Sequence, residues 1–340
     1  MKTRETSRLI LRKFKEDDFE AVHSYVSNEK NTRHMLFGPN NEDETRSFIN
    51  YAMAEATKTP ISAYEFAVVL RETNALIGAC SINIKDDSGS LGWIFHEIFW
   101  GKGYGTEVAK HLLAFGFDEL NLRRIYATAS AENLGSIRIM EKIGMRKEAQ
   151  LHDFRKARES YFRDYYDECQ YAILKCDWDV QKEIALYNAL PYEFNDFVDV
   201  PVLTNGDIFL VCTDKHPPNA EKKHVPMYSF IICKGGEKIG RLNLRIGYSD
   251  GLYYGGQIGY EINEAYRGNG YAVESCRLIV PIVKLHKMEK LLITNNYTNN
   301  ASRRVCEKLG ARHVRMVRLP DWTDMYKDGQ RFINIYEWEI

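Results

Sequence analysis

The apolar and polar positions of this chain run through one series of patterns twice. In the first half, YEFAVVL (64–70), LIGACSINI (76–84) and SLGWIF (90–95) are dense in β-branched and aromatic residues. Glu72-Thr73-Asn74 and Asp86-Asp87-Ser88-Gly89 fall between them as turn formers, which predicts antiparallel strands. The period then lengthens: Val108, Leu112, Phe115 and Ala109, Leu113, Leu120 recur at helical spacing. RIYATAS (124–130) predicts a further strand, and Leu134 to Lys142 a short helix closed by Gly144. The second half repeats the order with MYSFIIC, KIGRLNLRI, QIGYEI, a turn, a helix, LLITNN, a helix and Gly310.

The front segments differ. The first half opens with two amphipathic helices, one from near Asp17 with Phe19, Val22 and Val26 on a face. The other follows Asn41, with Glu44 placed for a capping box and Phe48, Ile49, Ala52 and Met53 as its apolar side. The second half offers LPYEFNDFVDVPV, then DIFLVCT, then a polar loop over Asp214–Pro226. Between the halves, Asp177 to Leu190 holds no glycine or proline and predicts a helical join. The reading is of two domains, residues 1–178 and 185–340.

Two motifs tie the halves together. Trp100-Gly101-Lys102-Gly103-Tyr104-Gly105 aligns with Arg267-Gly268-Asn269-Gly270-Tyr271-Ala272 at an offset of 167 residues. Downstream, NLGSIRIMEKIG from Asn133 aligns with NNASRRVCEKLG from Asn299 at an offset of 166, sharing Asn, Ser, Arg, Glu, Lys and Gly. The period is that of a domain, so this is a duplication and not a solenoid. The missing residue falls in the helix after the turn, which in the second copy also carries Pro281 and should kink there.

Composition narrows the function. With 340 residues, 44% apolar and 27% charged, the chain suits two globular domains. A net charge of −1 supports neither nucleic acid nor an anionic membrane as the main partner. No apolar run reads as a secretory signal or a membrane span, which makes a cytoplasmic protein the simplest expectation. The seven cysteines are scattered and never spaced CxxC, so neither a disulfide framework nor a metal knuckle is expected. Oligomeric state is not legible.

A strand that ends in small residues and feeds a helix presents unpaired N–H groups at a positive helix end, a natural place for pyrophosphate. Gly103 and Gly270 would let a phosphate approach the backbone, and Arg267 adds charge. Neither copy ends in the Gly-Lys-Ser/Thr of a Walker loop. Neither has the GxGxxG of a dinucleotide fold at the head of a βαβ unit.

Arg-x-x-Gly-x-Gly/Ala after the fourth strand, followed by Asn-x-x-Ser and Glu-Lys-x-Gly after the fifth, resembles the GNAT superfamily of acetyl-CoA-dependent N-acetyltransferases, over nearly the whole chain as two copies. The opening TSRLILRKFKEDD and WGKGYGTE of the first copy are similar to the branch that acetylates ribosomal-protein N-termini, where a tryptophan at the Trp100 position is usual. The resemblance implies an α/β (α+β) fold class: two GNAT-like domains, each with a mixed, mostly antiparallel sheet flanked by helices. It implies acetyl-CoA as co-substrate with no metal, and a primary amine, on a small molecule or a protein N-terminus, as acceptor. Cofactor binding would fall to Arg267, Gly268, Gly270, Ala272 and Asn299 in one copy and Gly101, Gly103, Gly105 and Asn133 in the other.

The amine would attack the thioester directly, with a base taking its proton and an acid meeting the departing thiolate. Glu261 on the fourth strand of the second copy is a candidate base. Its counterpart is Ile94, which leaves His96 or Glu97 in the first copy. Each has a bland alternative, Glu261 as a solvent-facing strand residue and His96 as a cap. The tyrosine many family members use as acid is replaced by Met140 and Cys306; Ser136 and Ser302 fit the branch in which a serine serves. Those serines equally suit the first turn of a helix, and Asn133 and Asn299 either touch the cofactor or shape their turns. Glu107 and Glu274 read as structural charges at helix starts. The leading function is therefore a tandem N-acetyltransferase. The alternative keeps one domain catalytic and makes the other an acyl-CoA-binding or scaffold domain.

Overall fold

A computed structural model describes residues 1–156, 165–221 and 224–340. The chain divides into two compact units, Met1–Asp179 and Val180–Ile340, with the division inside a helix over Lys175–Asn188.

Unit 1 contains, in chain order, β1 (Arg4–Glu5), β2 (Leu9–Arg12), α1 (Phe19–Val26), α2 (Glu29–Thr32), α3 (Glu42–Glu55), β3 (Ala63–Leu70), β4 (Leu76–Lys85), β5 (Ser88–Phe95), α4 (Tyr104–Ala114), β6 (Arg124–Ser130), α5 (Leu134–Lys142), β7 (Arg146–Lys156) and β8 (Tyr165–Leu174); α6 is the helix Lys175–Asn188. One sheet runs β1-β2-β3-β4-β5-β6-β8-β7. Every pairing is antiparallel except β5 with β6. That parallel ladder spans only Ser88↔Arg124 to Ser90↔Tyr126. Beyond it β5 continues to Phe95 paired only with β4, so the sheet opens into a cleft between its fourth and fifth principal strands.

Both faces of this sheet are covered. Phe66, Val68, Cys80 and Ile82 pack with Val108, Leu112 and Leu113 of α4. Ala67 and Ala79 on the other face meet Phe19, Val22 and Tyr25 of α1 and Ile49 and Ala52 of α3. Burying a large aliphatic side chain in this way contributes roughly 1.5–3 kcal/mol. The α3 start is as expected: Asn41 accepts from Glu44 N at 2.9 Å and Glu44 returns a bond to Asn41 N at 2.8 Å.

Unit 2 contains β9 (Leu203–Thr204), β10 (Phe209–His216), β11 (Met227–Lys234), β12 (Glu237–Arg245), α7 (Asp250–Gly255), β13 (Ile258–Ile262), α8 (Tyr271–Leu278), α9 (Val280–Leu285), β14 (Lys290–Asn296), α10 (Asn300–Leu309), β15 (Arg312–Arg318), α11 (Asp324–Lys327) and β16 (Phe332–Glu339). Its strands form two sheets, β13-β12-β11-β10-β9 and β14-β16-β15, in the same succession as unit 1 but with no ladder between β13 and β14. Gln257, fully buried, replaces that ladder. Its backbone N–H donates to Leu292 O at 2.9 Å, its side-chain oxygen accepts from Leu292 N at 2.6 Å, and its amide donates to Gly247 O at 3.2 Å. One side chain thus satisfies the buried backbone where the strands part.

Several expectations change. The polar loop expected from Asp214 begins only after His216, because Asp214–His216 pair with Ser229–Met227; residues 222–223 lie outside the described set. The short helix α7 stands where unit 1 has only the Asp86-Asp87 turn, and the terminal strands β7, β8, β15 and β16 went unread. Among its described residues unit 2 has no counterpart of α1–α3, so on β11 Tyr228, Phe230 and Ile232 are buried while Ser229 and Ile231 on the other face are only half-buried. At Pro281 the helix is broken into α8 and α9. The extra residue of the first copy has a home: α4 runs into a single π-helical stretch, Phe115–Glu119, which absorbs one residue without disturbing its flanks.

Candidate active site

In both units the fourth strand leads through one turn of 3₁₀ helix into the glycine turn. Gly101 and Gly103 stand at φ +75° and +83°, Gly268 and Gly270 at +84° and +83°. Side chains are strained in that region, and glycine is not. A Cβ on Gly268 or Gly270 would meet no heavy atom within 4 Å, so the turn needs glycine for its backbone and leaves open space above it. Gly103 and Gly270 are the N-caps of α4 and α8, whose first N–H groups face that space without a capping side chain.

The departure at Trp100 has a local explanation. Arg267 donates from Nε to Ile262 O at 3.0 Å. Trp100 donates from Nε1 to Phe95 O at 2.8 Å. Those carbonyls are equivalent, so the indole makes the same bond and drops only the charge. A cation returns from elsewhere: Arg8, on the turn before β2, donates to Lys102 O at 3.0 Å and lies over the Tyr104 ring at 4.5 Å. Sequence reading missed Arg8. Glu107 anchors it, accepting from Arg8 Nε at 2.7 Å and from Thr6, Ser7 and Arg8 N. Burial raises the Glu107 carboxyl, but these bonds outweigh it and hold it at about 2.

Gly105 stands differently from the other glycines. A Cβ there would fall 2.6 Å from Ile139 Cδ1. Its counterpart is Ala272, and the counterpart of Ile139 is Val305. The added methyl on one helix is matched by a lost methylene on the other, which keeps α4 on α5 and α8 on α10 at similar distance.

Asn133 and Asn299 cap the helices after the fifth strand, accepting from Ser136 N at 3.1 Å and Ser302 N at 3.0 Å. Each serine hydroxyl meets an aromatic side chain of the fourth strand: Trp93 Nε1 donates to Ser136 Oγ at 3.3 Å, and Tyr260 Oη lies 2.9 Å from Ser302 Oγ. Met140 and Cys306 are fully buried core residues. All seven unit 2 candidates (Glu261, Arg267, Gly268, Gly270, Ala272, Asn299 and Ser302) line one cavity of about 530 Å³. Arg304 and Lys308 join it, so three cations surround a hollow suited to a phosphorylated ligand.

The carboxylates divide by sheet face. Glu261 is exposed and pairs with Arg241 across the ladder, 2.6 Å apart. Its counterpart Ile94 packs against the α1–α3 cluster. His96 caps the 3₁₀ turn, accepting from Ile98 N at 3.3 Å. On the same face as Ile94, the ladder Glu65↔Ser81↔Gly92 carries a carboxyl, a hydroxyl and then no side chain toward the cleft. Glu65 is half-buried and makes no hydrogen bond or ion pair among the described residues. Burial, and then the charge of Glu55, push it up to about 7. Glu55 itself is 6% exposed and bonded to Lys58. The YEFAVVL pattern gave no sign of this, because Glu65 occupies an ordinary polar position of an alternating strand.

A sheet that parts after its fourth principal strand, with a glycine turn there at the head of a helix, occurs in both units and is the arrangement of an enzyme class whose ligand carries a phosphate to the helix start. The acetyltransferase (GNAT) domain model matches residues 8–146 and 210–312. The chain belongs to that family of acetyl-CoA-dependent acetyltransferases, with the domain present twice. It is 34% identical over 176 residues to the uncharacterized N-acetyltransferase YnaD of Bacillus subtilis, covering 51% of this chain and 98% of that protein. It is 32% identical over 162 residues to the uncharacterized N-acetyltransferase p20 of Bacillus licheniformis, covering 46% and 90%. Among solved structures it is similar to a GNAT-family acetyltransferase from Bacillus anthracis, with 35% identity, coverage of 51% and 99%, and a TM-score of 0.45. Among the described residues no helix is long and apolar enough to cross a membrane.

Proposed function

We propose that both domains bind acetyl-CoA and that the chain transfers its acetyl group to a primary amine by direct attack on the thioester. The observation that carries this reading is the twin turn: positive-φ glycines at a helix start beside strands that part, over space that is open in domain 2 and bordered in domain 1 by the Arg8 guanidinium, 3.4 Å from where a Gly103 Cβ would stand. Arg267, Gly268 and Gly270 would hold the pyrophosphate in domain 2 with Ala272 behind them. Gly101 and Gly103 would do so in domain 1, with Gly105 behind them and Arg8 supplying the cation. Asn133 and Asn299 fix the helix starts beside the carrier arm. Ser136 and Ser302 are the acids that meet the departing thiolate.

The base differs between the domains. Glu261 serves domain 2 from the open sheet face. In domain 1, where Ile94 replaces it, Glu65 is the carboxyl on that face and takes the amine proton through water, with His96 as the alternative at the strand end. The unequal front segments give the two domains different acceptor sites.

Titrating acetyl-CoA calorimetrically into the full chain, and into Gly103→Asp and Gly270→Asp variants, tests the reading. Two sites, each lost with its own substitution, are expected. No binding would overturn it. The burial of Ile94 favours a second reading, in which domain 1 binds acyl-CoA without catalysis. Turnover by domain 1 in the Gly270→Asp background would exclude that.

A further inference from the structure

The hydrogen bond between the fourth strand and the serine recurs in both units, yet its aromatic partner changes from tryptophan to tyrosine. An indole N–H can donate but cannot accept. In unit 1 the sense is therefore fixed: Ser136 Oγ is the acceptor, and its own O–H points away from Trp93. In unit 2 either oxygen could donate, and the sense of unit 1 is reproduced when Tyr260 gives its proton to Ser302. Among the described residues neither serine hydroxyl has a second protein partner, although both sit half-buried at a helix start. A half-buried O–H with no protein acceptor is free to donate to a ligand that displaces the water beside it.

We propose that Trp93 and Tyr260 are positioning residues that aim the hydroxyl protons of Ser136 and Ser302 into the cleft, at the sulfur of the bound carrier. This rests on the acetyl-CoA reading. As the C–N bond forms and the C–S bond breaks, the bonding pair goes to sulfur. The serine O–H gives a hydrogen bond to that sulfur and keeps its own proton, so the carrier leaves as the thiolate while the amine's surplus proton passes to the base and on to water. The aromatic donor keeps the serine from turning its proton the other way.

The test compares free CoA with acetyl-CoA, since only the former can present a thiolate. In the Gly103→Asp background, which leaves domain 2, each is titrated calorimetrically at several pH values. A thiol titrates near about 8.5, and a site that stabilises the thiolate gains CoA affinity as pH rises toward that value. The ratio of CoA to acetyl-CoA affinity should rise with pH in the Tyr260 protein and fall by about tenfold at the alkaline end in Tyr260→Phe, the scale of one hydrogen bond to a charged group. Ser302→Ala should lose the same factor and the double variant no more. Tyr260→Trp, which restores a donor, should retain it. In domain 1, with Gly270→Asp as background, Trp93→Phe should lose the factor and Trp93→Tyr keep it.

A ratio that does not change with pH, or one that Phe and Trp at position 260 affect equally, overturns the proposal. Acetyl-CoA affinity in each variant reports folding within the same experiment. Absence of acetyl-CoA binding in the unsubstituted chain would instead bring down the reading beneath it.

Discussion

Glu65→Gln isolates the least expected group in the molecule. The Glu65 carboxyl stands on β3, half-buried, beside the buried Glu55, and is raised from 4.5 to about 7 by burial first and by Glu55 second. A shift of that size corresponds to about 3 kcal/mol at about 1.4 kcal/mol per unit, a ceiling because some solvent still reaches the group. The sign follows from proton binding. Between pH 4.5 and about 7 the folded chain keeps a proton that the unfolded chain has released, so stability falls as pH rises through that window and stays low above it.

Glutamine carries no such charge. The stability of Glu65→Gln minus that of the unsubstituted chain should be near zero at pH 4 and grow to a gain of up to about 3 kcal/mol at pH 8. Denaturant unfolding of the full chain, followed by hydrogen exchange of β3 and β4 amides so that unit 1 is read by itself, measures it. In the same variant, with Gly270→Asp silencing domain 2, the rise of acetyl transfer between pH 6 and 8 should disappear. A stability difference that is the same at all pH values would refute the electrostatic account. An unchanged rate profile would refute the role as base.

Other expectations concern packing and charge. Gly105→Ala should change stability by less than about 1 kcal/mol, because only the terminal Cδ1 of Ile139 must turn aside and the helix gains propensity of about the same size; adding Ile139→Val, which removes that atom, should leave a net gain, a coupling of about 0.5–1 kcal/mol in a double-mutant cycle. Arg8→Ala should weaken acetyl-CoA binding to domain 1 by about fivefold and flatten its salt dependence, with domain 2 unaffected in the same titration. Gln257→Leu should destabilise unit 2 by about 1–3 kcal/mol, seen as early exchange of β13 and β14 amides, because Leu292 N loses its buried acceptor.

What the sequence made legible was periodic or repeated. β-Branched and aromatic residues bounded by turn formers marked β3 and β4, Asn41 and Glu44 marked the start of α3, and the paired glycine motifs marked the two turns. Groups whose meaning depends on a distant partner stayed hidden. Arg8 lies almost a hundred residues from the turn it serves, and Gln257 reads as one polar residue at the edge of a strand. The length of β10 was misjudged because Asp214, Lys215 and His216 are polar on both faces, as an edge with one solvated side allows. Helix α7 was missed because GLYYGG carries turn residues at both ends, while Leu252, Tyr253 and Tyr254 are held by burial and not by propensity.

The differences between the copies bear on whether both sites work. A copy released from its function should lose interactions piecemeal. Here three substitutions keep an interaction and change the residue that makes it, and a fourth keeps a carboxylate on the same sheet face. The indole of Trp100 makes the bond of Arg267, and the charge it lacks is present in Arg8. Trp93 gives its serine the same contact as Tyr260, and Gly105 with Ile139 fills the space of Ala272 with Val305. The Glu261 carboxylate, replaced by Ile94, has a same-face counterpart in Glu65 two strands away, where domain 2 has Ser229. These correspondences in donor, charge, volume and carboxylate are what the proposal of two working domains requires. The glycines of the turn are kept in both copies where other positions differ: the backbone there stands at positive φ, which favours glycine, and a side chain would intrude on the space above the turn.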